Sequence, residues 1–542
     1  MNVGLRRVSD RGFTGMAVFS VLLLTAALLL ILTPMLIKGA AAVFFEGTVE
    51  FRRVELDLHQ RGDPAAVLRE VEAARTAREP IYALLDDFRQ GIDTAHLQDE
   101  ARQLYRELGK QLDNRNVGRD ERLEIRRFAR ELRDTLIEAY ESTDKAEANK
   151  ALLAVLSHEK GGRLRGTVAV RLFQMARHYQ EVLEGFDLGK REEYATALGE
   201  VQVAVRLLFG PRPGESQPPL AKDRYGAHRM DLVRRWSDDL LFAETWVEVE
   251  PGNPLERKTI AREEQFAGTK LEALFPLYRE RLNAMFLPRT TVYWQYFFDG
   301  SIPGHYFGGV GPEILGTLTV TLVAIAFAFP LGLVSAAYLV EVAGDSIVVR
   351  FVRLCINTLA GVPSIVFGLF ALAFFVVYVT GKRPCVLACS MTAAILILPV
   401  MIRASEEAIR AVPRSFKEAA LALGASHLRC FLTVQLPAAL PGILTGVILS
   451  LARAAGETAP YLFAGAAAVA EPLWEHSLSD WPMQQTQMLS YGAYDLAMND
   501  RIAAMVPHQQ WGMVTTLIGL VLILNGVAII IRWRVSKNLR GG

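Results

Sequence analysis

The sequence predicts an all-α integral membrane protein carrying a large, mostly helical insertion outside the membrane. Three observations predict this class. Six separate runs are apolar enough to cross a bilayer, each near the ~20 residues that a spanning helix needs. The stretch between the first and second runs is instead rich in Glu, Arg, Ala and Leu. Within that stretch apolar residues recur at the three-to-four-residue spacing of amphipathic helices. Averages over the 542 residues hide the division, and a net charge of +1 gives no reason to expect a nucleic-acid partner.

The first run, 13–37, is longer than a signal-peptide core, and no small-residue cleavage site follows it, so it reads as a retained anchor. The other runs are 316–340, 354–380, 385–401, 440–464 and 514–531. The expected organisation is a short terminus and first span over 1–38, an insertion over 39–305, and five further spans over 306–542. Lys and Arg in short loops set orientation. Arg6, Arg7 and Arg11 precede the first span, Arg350 and Arg353 follow the second, and Arg410, Arg414, Lys417 and Arg429 follow the fourth. Arg532, Arg534, Lys537 and Arg540 follow the sixth. With six alternating spans all four clusters share one side. That side is expected to be the cytoplasm, with both termini there, and Lys382 and Arg383 are a mild exception outside.

The insertion then lies outside, in a periplasm where the cell has one. It contains no cysteine, so its stability is expected to come from its own core. Helical patterning runs from 64 to 207. In 124–140, "EIRRFARELRDTLIEAY", Ile125, Phe128, Leu132, Leu136 and Ile137 fall on one face. Residues 170–186 repeat the pattern, "FGPRPGESQPP" (209–219) is a linker, and 245–260 alternates around a turn as a small hairpin would. Cys385 and Cys389 stand one helical turn apart without a His or carboxylate companion. They read as small packing residues rather than a metal or redox pair, and no metal site is expected.

Between the fourth and fifth spans lies "KEAALALGASHLRCFLTVQLP" (417–437), basic and helix-prone. Pro413 suits a first helical position, Gly424 suits the left-handed residue that ends a helix, and Ser426 can cap a second one. Pro437 would open the fifth span. The expected result is two short helices at an angle, presented at the cytoplasmic face as if to a groove on another protein. An amphipathic loop lying on headgroups would share the composition.

Charged residues inside spans are costly, about 2.5–3.5 kcal/mol for a central Arg, and mark function by default. Arg453 and Glu457 are one turn apart in "LARAAGETAP" (451–460), and Arg403 and Glu406 share a face near the inner end of the fourth span. The guanidinium fork offers an oxyanion two parallel hydrogen bonds and never loses its charge. A neighbouring Glu would hold the Arg when no anion is present. Two readings stay open at each place: an anion station, or an ion pair that locks packing (for Arg403, also a side chain reaching to the interface).

Glu418, Ala419, Ala420, Gly424, Val434, Leu436 and Pro437 match, at every spacing, the EAA loop of ABC-importer membrane subunits, with Val434 in place of the usual Ile. More widely, 305–535 resembles the phosphate-specific permeases of the PstA type. "FGGVGPEILGTLTVTL" (307–322), "NTLAGVPSIVFGLFAL" (357–372), the loop over 413–437 and "ARAAGETAPYLFAGA" (452–466) carry the likeness, and Ala-Pro after Thr458 favours the A-type over the C-type subunit. The resemblance implies a type I ABC-importer permease of an inner membrane. Its implied partners are a C-type permease subunit in a heterodimer, two ATPase subunits and a periplasmic phosphate-binding protein. It places the substrate path on Arg403, Glu406, Arg453 and Glu457, and ATPase docking on Glu418, Ala419, Ala420, Gly424, Leu436 and Pro437. The chain has no G-x-x-x-x-G-K-[ST] sequence, so it should bind no cofactor; ATP and Mg²⁺ would belong to the ATPase. No nucleophile, base and metal set suggests an enzyme. Alternatives are a permease for sulfate or molybdate, or a phosphate-sensing scaffold for a signalling partner. The insertion departs from the resemblance, which says nothing about 39–300.

Overall fold

Each apolar run becomes helix because a bilayer offers its backbone no other hydrogen-bond partner. The computed structural model describes residues 3–114, 118–215, 225–247, 256–302, 304–344, 346–499 and 505–540. Two compact units emerge: Glu46–Thr290, and Met1–Phe45 with Thr291–Gly542.

The second unit is built from α1 (Val3–Ala40), α2 (Gly311–Glu341), α3 (Ile347–Ala360), α4 (Ser364–Val379), α5 (Val386–Arg410), α6 (Arg414–Ala422), α7 (His427–Gly456), α8 (Ala459–Ala464), α9 (Leu489–Met498) and α10 (Pro507–Arg540). Five of these helices are long and apolar enough to cross a membrane, and six spans result if α3 and α4 count as one. Helix α5 lies at the centre: Ala388, Cys389, Ala393, Ile397 and Met401 are buried along it. Small residues let its neighbours close in. A Cβ on Gly332 of α2 would stand 2.9 Å from Met401, and Cβ atoms on Gly442 and Gly446 of α7 would stand 2.7 and 2.4 Å from Ala408 and Ala404. Gly442 and Gly446 form a G-x-x-x-G pair, the spacing that brings helix backbones together in lipid. Cys385 and Cys389 are both fully buried in this core as packing residues, and all four cysteines are free. Helix α1 runs along α10, with Lys38 Nζ 4.8 Å from the Trp511 ring centre.

Three expectations need correcting. The third span, expected as one run over 354–380, is bent by 101° between α3 and α4. The break falls at Gly361, Val362 and Pro363; Pro363 has no N–H to give, and it forces the preceding residue away from helix. The fifth span does not run over 440–464. It begins at His427, ends at Gly456, and leaves Glu457 extended (φ −77°, ψ 138°) before the short α8. Nor does Pro437 open it. A π-helical turn, Phe431–Gln435, carries the helix through that position, so the second short helix expected after Gly424 is the first turn of α7 itself. The wider turn accommodates a proline that cannot donate one turn back.

The other unit is helical where the periodicity puts helices. Pro64–Ile92 starts on Asp63, whose carboxylate accepts from the Ala65 amide, and Lys145–Ser157 starts on Asp144 in the same way. In Arg119–Glu141 the buried stripe is Ala129, Leu132, Leu136, Ala139 and Tyr140, with Ile125, Phe128 and Ile137 half-buried beside it. Phe88 meets Tyr194 and Phe266 edge-to-face and Phe186 at a tilt, Phe186 meets Tyr194 at a tilt, and Tyr194 stacks on Phe266 at the core. Buried Arg78 bonds Glu50 at 2.8 Å and the Met285 carbonyl at 2.9 and 2.6 Å. The expected hairpin forms from antiparallel strands Phe242–Val247 and Glu256–Ala261, in register from Phe242↔Ala261 to Val247↔Glu256. Its turn, 248–255, and the last part of the 209–219 linker, 216–219, lie outside the described residues.

Candidate functional site: a charged path and a braced loop

Arg453 sits one turn before the end of α7, and Glu457 is the first residue beyond it. Arg453 Nε lies 3.5 Å from Glu457 Oε1, with side chains 33% and 24% exposed. The pair is therefore formed, although the two residues do not share a helix face as expected. The break that displaces Glu457 is held from behind. Ser490 Oγ donates to the Glu457 carbonyl at 2.9 Å, and Tyr461 Oη donates to the Ala454 carbonyl at 2.6 Å. A Cβ on Gly368 would stand 3.0 Å from the Ala459 carbonyl, so α4 lies directly against α8.

Arg403 and Glu406 do not bond each other. Arg403 is exposed, and its Nε donates to Asn357 Oδ1 at 2.7 Å. Glu406 Oε1 takes Arg410 at 2.7 Å and Arg353 at 3.1 Å. The other end of the Arg353 fork reaches the Leu339 carbonyl at 3.1 Å. A Glu acceptor for Arg403 was expected; instead the groups alternate across α3 and α5. Arg353 and Asn357, four residues apart, were missed as members of this cluster. The i, i+4 spacing of an Arg and an Asn in "FVRLCINTL" was the available signal.

The basic loop folds as its local chemistry predicts. Helix α6 runs Arg414–Ala422 with Pro413 just before it, Gly424 takes φ +84°, and Ser426 Oγ accepts the Arg429 amide at 3.3 Å. Ala420 is buried, Leu436 and Pro437 are half-buried, and Glu418, Ala419 and Gly424 are exposed. Glu341, the last residue of α2, binds the loop from both sides: Lys417 Nζ donates to it at 2.5 Å and Gln435 Nε2 at 3.0 Å. Apolar Phe416, Leu423, Leu428 and Leu432 remain exposed, Leu423 at 90%. Exposed apolar side chains gathered on a braced, charged element mark a surface that meets another protein or the membrane.

At its other end α2 begins in a buried polar cluster. Glu313 is fully buried, with its Oε1 3.7 Å from His305 Nδ1. His305 has φ +54°, and burial pushes it down to about 4. Thr317 Oγ1 accepts the Leu489 amide at 3.0 Å.

Residues 328–541 match the family described as "Binding-protein-dependent transport system inner membrane component". Among similar curated proteins is "Phosphate transport system permease protein PstA 1" of Mycobacterium tuberculosis. It is 34% identical over 249 residues, spanning 46% of this chain and 77% of that protein. The PstA protein of Mycobacterium leprae is 39% identical over 170 residues (31% of this chain, 55% of that one). "Probable ABC transporter permease protein YqgI" of Bacillus subtilis is 38% identical over 156 residues (29% and 53%). Among solved structures, an inward-facing MetNI methionine ABC transporter matches 42% of this chain and 95% of its own at 20% identity, with a TM-score of 0.33. The chain thus belongs to the inner-membrane components of binding-protein-dependent transport systems and, within them, to the permeases of the PstA type.

Proposed function

We propose that the chain is the A-type permease subunit of an ATP-driven phosphate importer. It forms half of the translocation path and docks a separate ATPase subunit through 413–437. On this reading it pairs with a C-type permease, works with two ATPases and an external phosphate-binding protein, and keeps both termini in the cytoplasm with 39–305 outside. ATP and Mg²⁺ belong to the ATPase.

The half-buried Arg453–Glu457 pair carries the reading. Nε of Arg453 lies 3.5 Å from the carboxylate, and among the described residues no side-chain hydrogen bond holds its two terminal nitrogens. Those two donors suit the parallel oxygens of a phosphate. Glu457 offsets the cation between passages and, by competing, keeps the anion from binding too tightly to leave. The Arg403–Asn357 and Arg353–Glu406 contacts then form a second station towards the inner face.

Uptake of labelled phosphate, sulfate and molybdate into vesicles holding the whole transporter tests this. Phosphate alone should accumulate, and Arg453→Lys should cut its uptake at least tenfold, because an ammonium cannot reproduce the fork. Preferred uptake of sulfate or molybdate, or an unaffected Arg453→Lys, would overturn it.

A further inference from the structure

Between α7 and α10, near the C-terminal end of α10, lies an open cavity of about 550 Å³. Pro441, Gly442, Ile529 and Ile530 form its apolar wall, and Arg532, Trp533 and Ser536 its polar end. We propose that this cavity binds one anionic phospholipid, with its phosphate at Arg532 and Ser536 and one acyl chain running up α10.

Three observations carry this. The first is charge. Arg532 is half-buried, and its guanidinium is steered into the cavity wall by a 3.1 Å hydrogen bond from Nη1 to Thr445 Oγ1. Lys537 adds a second cation at this end of the helix, its Nζ 5.4 Å from the ring centre of Trp533, which lines the cavity. A basic pocket between membrane helices at one end of the span suits an anionic headgroup. The second is the aromatic anchor. Trp533 is 60% exposed, with a basic neighbour on its ring, as an indole at the headgroup level should be.

The third is the track. Leu522, Gly526, Ile529 and Trp533 follow one another at spacings of four, three and four along α10, so they share a face. Leu522 and Ile529 are exposed. A Cβ on Gly526 would meet nothing within 4 Å, so the ridge of side chains is notched there. From 522 to 533 the helix rises about 16 Å, close to half of the ~30 Å hydrocarbon core that the chains of one leaflet fill. An ordinary lipid-facing surface needs neither the notch nor a tethered guanidinium. A second protein would have to meet a surface that is apolar at one side and cationic at its end.

Native mass spectrometry of the purified full-length protein, with the subunits that accompany it, tests the proposal. The sample is exchanged into detergent containing phosphatidylglycerol, cardiolipin or phosphatidylcholine. One anionic lipid should survive per chain where phosphatidylcholine does not. Arg532→Gln should lower its retention about fivefold, and Gly526→Leu should do the same by filling the notch without touching charge. Quenching of Trp533 by brominated phosphatidylglycerol, read as the difference from Trp533→Phe, gives the answer in native membranes even where a variant assembles poorly. Equal retention of phosphatidylcholine, indifference to both substitutions, or a crosslink from Ile530→Cys to another subunit in place of lipid quenching would overturn the proposal. So would displacement by inorganic phosphate at millimolar concentration.

Discussion

Single side chains in this protein are tuned by where they are buried and what faces them. Arg453 and Arg403 were both legible as unusual because charge inside an apolar run is visible in any sequence. Their partners were not, since Asn357 is forty-six residues from Arg403 and reaches it only through the packing of α3 on α5. The two arginines should therefore respond differently. Arg403→Lys keeps a donor for Asn357 and should reduce phosphate uptake less than threefold, well short of the loss at Arg453. Asn357→Leu should impair uptake more than Arg403→Lys, because it leaves that cation without its acceptor. Uptake rates in one vesicle preparation rank all three, and a ranking with Arg403→Lys worst would contradict the second station. In the unit 46–290, burial, followed by repulsion from Arg229, pushes His228 down to about 3. A histidine held neutral in the fold but free to protonate when unfolded contributes stability that is full above pH ~6.5. That contribution is lost as pH falls towards the folded value. Between about pH 6.5 and 5, where carboxylates stay largely ionised, the loss should approach 1.4 kcal/mol per pH unit. Denaturant titrations across that window should show the slope, and His228→Asn should flatten it.

Elements were legible where one or two residues decide the backbone. Gly424 and Ser426 announce a turn and a cap because left-handed φ and a capping hydroxyl are local properties, and both appear as expected. The bend at Pro363 and the end of α7 at Gly456 were passed over because hydropathy measures burial in lipid and is blind to backbone geometry. Both breaks sit inside runs whose average hydropathy is that of a single span. The break at Glu457 depends on Ser490, a distant residue holding its carbonyl. At Gly424 the space around a Cβ is open, so only conformation opposes a side chain. Gly424→Ala should cost about 1 kcal/mol of local strain and leave assembly intact. Gly424→Pro cannot take φ +84° and loses the 2.9 Å bond from its amide to the Leu421 carbonyl. Proline there should separate ATP hydrolysis from phosphate uptake, or abolish complex assembly. Coupled transport at the wild-type ratio would exclude a docking role for the loop.

On the scale of the whole molecule, composition changes abruptly near 39 and 305, while the compact unit between the spans runs Glu46–Thr290 and the first helix joins the later ones in the other unit. The internal order of the unit 46–290 was less legible, since amphipathic periodicity says which face is buried and not which helix covers it. The segment 46–290 has its own aromatic core and no cysteine. Produced alone, it should be soluble and give a far-ultraviolet spectrum dominated by helix and indifferent to reductant; a spectrum of coil or strand would show that it needs the rest of the chain. The longest consequence comes from Glu341. Helix α2 has one end in the Glu313–His305 cluster and the other in the grip of Lys417 and Gln435. At about 1.5 Å per residue its 31 residues make a strut of about 46 Å. A rod anchored by ionic contacts at one end and buried polar groups at the other delivers a tilt at its head as a displacement at its foot. On the proposed function, a tilt at the Glu313 end would reach the loop through the helix itself, without waiting for a solute to travel the path.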